Sequence, residues 1–207
     1  ILRDLRAAME SLLEQHLNRV TDTCIPEEEA KDIIGEYRRL RGVNGPKLVG
    51  LFANQAIYEV NRIVEGCGLD VAQLCGNEPP DYWGQVSVPV IRQIKVAGRT
   101  PTNQAVSRVL SIAHDVASRG HTVMLDKHEP GALGGTGTSF DWRIARRVSD
   151  HHNLILAGGL SPDNVRDAIV TANPWGVDVS SGVETEGVKD PEKIIAFAEQ
   201  ILRFHAG

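Results

Sequence analysis

Apolar residues along this chain follow two alternating rhythms. Short runs at 47–52, 71–75, 90–96, 122–126, 154–157 and 177–179 are nearly continuous and rich in β-branched residues, the pattern of strands buried on both faces. Between them the spacing becomes helical. Ile57, Val60, Ile63, Val64 and Cys67 share one face after the first run. Val106, Val109, Leu110, Ala113 and Val116 do so before the fourth, with Gly120 placed to end that helix. Ser161-Pro162 and Asp190-Pro191 each pair an N-cap residue with proline at the first helical position. Behind them, Val165, Ala168, Ile169, Ala172 and Ile194, Phe197, Ala198, Ile201 complete two further stripes. Strands alternating with amphipathic helices predict βα units around a parallel sheet.

The runs recur about every 20–30 residues, the length of one βα unit. Six units therefore extend from Lys47 onward, a count that fits an open doubly wound sheet or a barrel. A doubly wound nucleotide site has its glycine fingerprint after the first strand. Here the glycines gather after the last strands, where (β/α)8 barrels hold phosphate. The expected fold class is α/β, a TIM (β/α)8-type barrel. Two strand ends define its candidate ligand site: "LILAGGLSPDNV" from Leu154 breaks at Gly158-Gly159, and "GVDVSSGVE" from Gly176 breaks at Ser180-Ser181-Gly182. Residues this small let backbone N–H groups approach an anion, and a following helix N-terminus adds positive potential.

Composition narrows the function classes. The 207 residues are 42% hydrophobic, enough for a sizeable core, and no stretch is long enough to cross a bilayer. A formal charge of −5 without a basic stripe argues against nucleic acid as a partner. Arg38-Arg39 with Arg41, and Arg146-Arg147, read as solvated helix surface. Cys24, Cys67 and Cys75 are odd in number and lack metal-ligand or disulfide spacing, which fits a reducing, cytoplasmic setting. The neighbouring His151 and His152 diverge in direction on any regular element, so they read as a loop pair and no metal site is expected. The N-terminus carries acidic residues and no apolar signal core.

At the quoted strand ends the sequence resembles the phosphoribosylanthranilate isomerase family of tryptophan biosynthesis. Further matching strings are "LVGLFANQ", "GLDVAQLCGNE", "PVIRQIKV", "LDKHEPGALGGTGTSFDW" and "KDPEKI". The resemblance implies an Amadori rearrangement of a phosphorylated sugar-anthranilate substrate, without metal or redox cofactor. It implies that Asp126, closing the 122–126 run, is the general acid, a position at the barrel rim that suits the role independently. It implies phosphate contacts at Gly158, Gly159, Ser180, Ser181 and Gly182, and further substrate contacts at Gln73, Gly135 and Asp178. The family's base is a cysteine in a "KICG"-type first strand, and no such string occurs here, so no general base is identified. Cys75 stands where the family usually has histidine.

Residues 1–25 depart from the family. Leu2, Leu5, Met9, Leu12 and Leu13 have helical spacing, so an N-terminal helical segment is expected in place of the first two strands. The expected division is thus 1–25 and a barrel domain at 26–207, with a helix over 26–40. An incomplete barrel leaves strand edges unpaired. Residues 1–18 or a second copy of the chain in a homodimer would cover them. A catalytically incomplete barrel that only binds a sugar phosphate or a partner chain is the alternative function. A related sugar-phosphate isomerase would want a second carboxylate on the first strand.

Overall fold

Each apolar run forms a strand because branched side chains pack well on a pleated surface, and each helical stripe then covers it. A computed structural model describes residues 31–36, 39, 45–97, 103–128 and 140–205. Among these, β1 (Val49–Phe52), β2 (Val71–Leu74), β3 (Val90–Ala97), β4 (Thr122–His128), β5 (Leu154–Leu156) and β6 (Gly176–Val177) form one parallel sheet in sequential order. The helices between and after them are α1 (Ile57–Cys67), α2 (Pro80–Trp83), α3 (Asn103–Ser118), α4 (Trp142–Ser149), α5 (Val165–Ala172) and α6 (Pro191–His205). A doubly wound sheet would reverse its strand order partway. Right-handed crossovers that always step the same way put every helix on one face, which is how a barrel wall is wound.

The register determines what each face carries. Leu74, Arg92, Val123 and Leu154 stand in one row across β2 to β5, and Gln93, Met124, Ile155 and Gly176 stand in the next. Alternation assigns Leu74, Val123, Leu125, Leu154 and Leu156 to the helix-covered face, and all five are fully buried. They pack with Val60, Val116, Val148 and Val165 in a single core, each such side chain contributing about 1.5–3 kcal/mol on burial. The opposite face carries Ile91, Gln93, Lys95, Met124, Asp126 and Ile155. It is apolar toward the strand starts and polar toward their C-terminal ends.

Among the described residues the sheet does not close, since β1 and β6 each pair on one side only. On β1, Leu51 keeps 67% of its surface exposed because no neighbouring wall covers it there. The incomplete barrel agrees with the sequence expectation. The helical segment expected at 1–25, its docking over the open edge, and Cys24 lie outside the described residues. Of the helix expected at 26–40, residues 31–36 are helical.

Three local expectations need correction. The helix predicted to begin at Pro162 begins at Val165. The Asn164 side chain folds back, accepting from Ser161 N at 2.8 Å and donating to Gly159 O at 2.8 Å, which holds the preceding turn out of the helix. The 90–96 run alternates, with Gln93 and Lys95 on the open face, where a continuous run buried on both faces was expected. A short antiparallel hairpin, β7 (Glu184–Thr185) and β8 (Val188–Lys189), follows β6. Its turn residues Glu186 and Gly187 have φ of 54° and 81°, the two-residue geometry that suits hairpin twist. Other signals hold. Asp190 caps α6, accepting from Glu192 N at 3.0 Å, and Gly120 ends α3 with φ 81°.

Candidate active site

Asp126 lies on the open face near the C-terminal end of β4, opposite Lys95 of β3 in the register. Gln93 Nε2 donates to its Oδ2. Burial raises the Asp126 carboxyl above its ordinary range, against the opposing pull of the Lys127 backbone amide, Gln93 and Lys95. Gly158, just beyond β5, has φ 87° and packs directly on this group. A Cβ there would lie 2.7 Å from Asp126 Oδ1 and would overlap the Lys127 amide nitrogen. The glycine therefore makes room for the Asp126 carboxyl.

Asp178 follows β6, held by its amide donating to Leu156 O at 2.9 Å. The residue keeps an exposed side, yet desolvation is the main cause that raises its carboxyl, with Asp126 adding to it and Lys189 opposing. Two carboxyls thus meet on one rim, both biased toward their protonated forms. Lys189 comes from the hairpin, donating to Glu184 Oε1 at 2.6 Å and to Ser180 Oγ at 3.2 Å. It brings a cation to the second glycine-rich strand end. The sequence signal was available in the "TEGV" turn that places it.

The two predicted strand ends come together. A Cβ on Gly182 would overlap Leu160 O and lie 3.1 Å from Ser161 Cα, so only glycine permits this approach. The amides of Gly158, Gly159, Ser181 and Gly182 donate to no protein acceptor among the described residues. Ser180 precedes a 3-10 turn, Ser181–Val183, that presents the last two. A neighbouring cleft of about 410 Å³ is lined by Ser161, Asp163, Gly182, Asp190, Glu192 and Lys193. Its three carboxylates against one ammonium make it a poor place for an anion.

Gln73 is on the open face of β2 and donates to Cys75 Sγ at 3.4 Å. Burial raises the Cys75 thiol, with Glu78 and Asp126 adding to it, so the group stays neutral. Its backbone is gripped from behind. Arg92 donates to Leu74 O at 2.7 Å and to Gly76 O at 2.8 Å, and meets Glu78 Oε2 at 3.3 Å. Glu78 Oε1 in turn accepts from Asn54 N at 2.7 Å, tying the end of β1 to the end of β2. Sequence reasoning missed Gln93, Lys95, Lys189 and the Arg92–Glu78 pair. The remaining predicted contact, Gly135, lies outside the described residues.

Comparison with known proteins is consistent along the chain. Residues 11–200 match the family described as N-(5'phosphoribosyl)anthranilate (PRA) isomerase. The N-(5'-phosphoribosyl)anthranilate isomerase of Dehalococcoides mccartyi is 46% identical over 156 residues, covering 75% of this chain and 71% of that protein. The crystal structure of phosphoribosyl anthranilate isomerase from Thermotoga maritima superposes with a TM-score of 0.70 at 31% identity, covering 86% of this chain and 82% of that one. A phosphoribosyl anthranilate isomerase in complex with reduced 1-(o-carboxyphenylamino)-1-deoxyribulose 5-phosphate superposes with a TM-score of 0.66 at 28% identity, covering 86% and 80%.

Proposed function

This chain belongs to the N-(5'-phosphoribosyl)anthranilate isomerase family, and from that premise we propose which of its residues bind the substrate and move the proton. The reaction is the Amadori rearrangement of N-(5-phosphoribosyl)anthranilate to 1-(2-carboxyphenylamino)-1-deoxyribulose 5-phosphate, a step of tryptophan biosynthesis. It requires protonation of the furanose ring oxygen and removal of the C2 proton. Asp126 is the acid. The observation that carries this is a carboxyl on the strand-end rim whose burial raises it above the ordinary carboxylate range, toward the protonated form. The amides of Gly158, Gly159, Ser181 and Gly182 take the phosphate, with Ser180 and Lys189 beside them. Gln73 and Asp178 face the sugar from β2 and from beyond β6. We assign no described residue as the base, since Cys75 is held neutral. Free Cys67 and Cys75 suit a reducing cytoplasm.

Steady-state turnover of the purified chain and its Asp126→Asn variant tests the assignment. The amide keeps the shape but has no proton to give, so kcat should fall by about 10²–10⁴-fold while KM changes little. Unchanged kcat would reject Asp126 as the acid. A chain that binds the reduced product analogue but turns nothing over would favour the alternative of a sugar-phosphate-binding barrel.

A further inference from the structure

We propose that Gln93 is a positioning residue for the acid: by donating to Asp126 Oδ2 it holds the carboxyl in place and stabilises the carboxylate that forms as the proton leaves. The inference rests on the acid role just assigned. Gln93 and Asp126 lie on adjacent strands and on the same face. Lys95 stands opposite Asp126 in the register and Gln93 opposite Met124, so Gln93 is the diagonal neighbour, one pleat below the acid. A glutamine is long enough to reach up across that step, and its amide does so.

The consequence follows from donor and acceptor counting. A carboxylate accepts at several lone pairs, and two amide N–H donors reach this one, Gln93 at Oδ2 and the Lys127 backbone. Its Oδ1 is the oxygen Gly158 packs against, 2.7 Å from where a Cβ would be. In the transfer, the carboxyl O–H bond breaks and its electron pair stays on the carboxylate. A new O–H bond forms at the ring oxygen as its bond to C1 breaks, and the anthranilate nitrogen lone pair becomes the C1=N bond. The Gln93 hydrogen bond strengthens as the carboxylate charge develops. It therefore favours the transferred state over the starting one.

The charged and titratable groups around Asp126 act beside this bond. Lys95 on β3 pulls the carboxyl down. The Asp178 carboxyl beyond β6 and the Cys75 thiol beyond β2 both sense its charge. Gln93 is an uncharged donor, so it stabilises the carboxylate without adding a charge of its own.

The test is to titrate the Asp126 carboxyl by 13C NMR in the full chain, assigned with Asp126→Asn, in the parent, Gln93→Leu and Gln93→Glu. The pH profiles of kcat and kcat/KM are measured alongside. Loss of the donor should move the Asp126 midpoint upward in Gln93→Leu and further upward in the isosteric Gln93→Glu. The latter guards against misfolding of the former. The alkaline limb of kcat should move with it, and kcat near neutrality should drop about tenfold with KM nearly unchanged. An unchanged midpoint overturns the proposal. So does a downward one, which would mean that the amide accepts from the protonated carboxyl. A midpoint that rises while the rate profile stays put overturns the acid role of Asp126, and with it the catalytic part of the proposal, but leaves the hydrogen bond standing.

Discussion

Gly158 and Asp126 are the smallest unit in which fold and chemistry depend on each other. A strand end that must pass against a carboxylate cannot carry a Cβ, so a glycine there lets the backbone pack directly on the Asp126 carboxyl. Burial of this kind opposes stability. Both Asp126 and Asp178 are raised above the ordinary 3.8, so over the window from there up to the folded values the native chain binds protons the unfolded chain has released. The stability they support is complete below about pH 3.8 and declines as pH climbs through the raised folded values. Asp178→Asn should therefore leave the thermal midpoint close to that of the parent at about pH 3.5 and raise it above the parent at about pH 7. Differential scanning calorimetry at the two pH values decides this. A variant no more stable than the parent at the higher pH would show that Asp178 is not held up by its surroundings.

At the scale of elements, the joined ends of β1 and β2 are held by a buried ion pair where most of the sheet is held by apolar packing. The Arg92 and Glu78 side chains are 12% and 2% exposed, and Arg92 stacks over Trp83 of α2 at 5.7 Å. Trp83 Nε1 donates to Glu78 O at 2.9 Å, closing the network. Removing one partner leaves the other charge buried and unpaired, the costly case for an internal pair. Glu78→Ala is expected to lose about 3–5 kcal/mol in urea denaturation. A loss below about 1 kcal/mol would mean that water or relaxation of the Asn54 turn compensates. The same network fixes Cys75 between two clamped carbonyls, so its thiol position is set by an arginine on the helix-covered side of the sheet.

For the molecule as a whole, pairing is uneven across the sheet. β3 and β4 share seven register positions from Ile91↔Thr122 to Ala97↔His128, whereas β5 and β6 share two. With β1 and β6 each paired on one side among the described residues, local opening should start at these margins and spread inward. Native-state hydrogen exchange is expected to show the strongest protection in β3 and β4 and the weakest in β1 and β6. Equal protection across all six strands would require cover on both margins. Leu51 makes the same point from the side-chain level, since an edge leucine at 67% exposure is ordinarily buried by a neighbour.

By itself the sequence determined the alternation of strands and helices, the parallel sheet, the glycine-rich ends and a carboxylate, Asp126, near the end of a strand. Each of these is written in local spacing: a period of two or 3.6 residues, a cap, a breaker, or a short string of small residues. Residues 162–164 escaped because a side-chain bond from Asn164 competes with the helix signal of Ser161-Pro162. Gln93, Lys95, Lys189 and the Arg92–Glu78 pair were decided only by the tertiary structure. Their partners stand on other strands or across a hairpin, and only the register brings a β3 amide to a β4 carboxylate. The raised pKa of Asp126 belongs to the same class, because burial is created by what packs around a residue and not by the residues beside it in the chain.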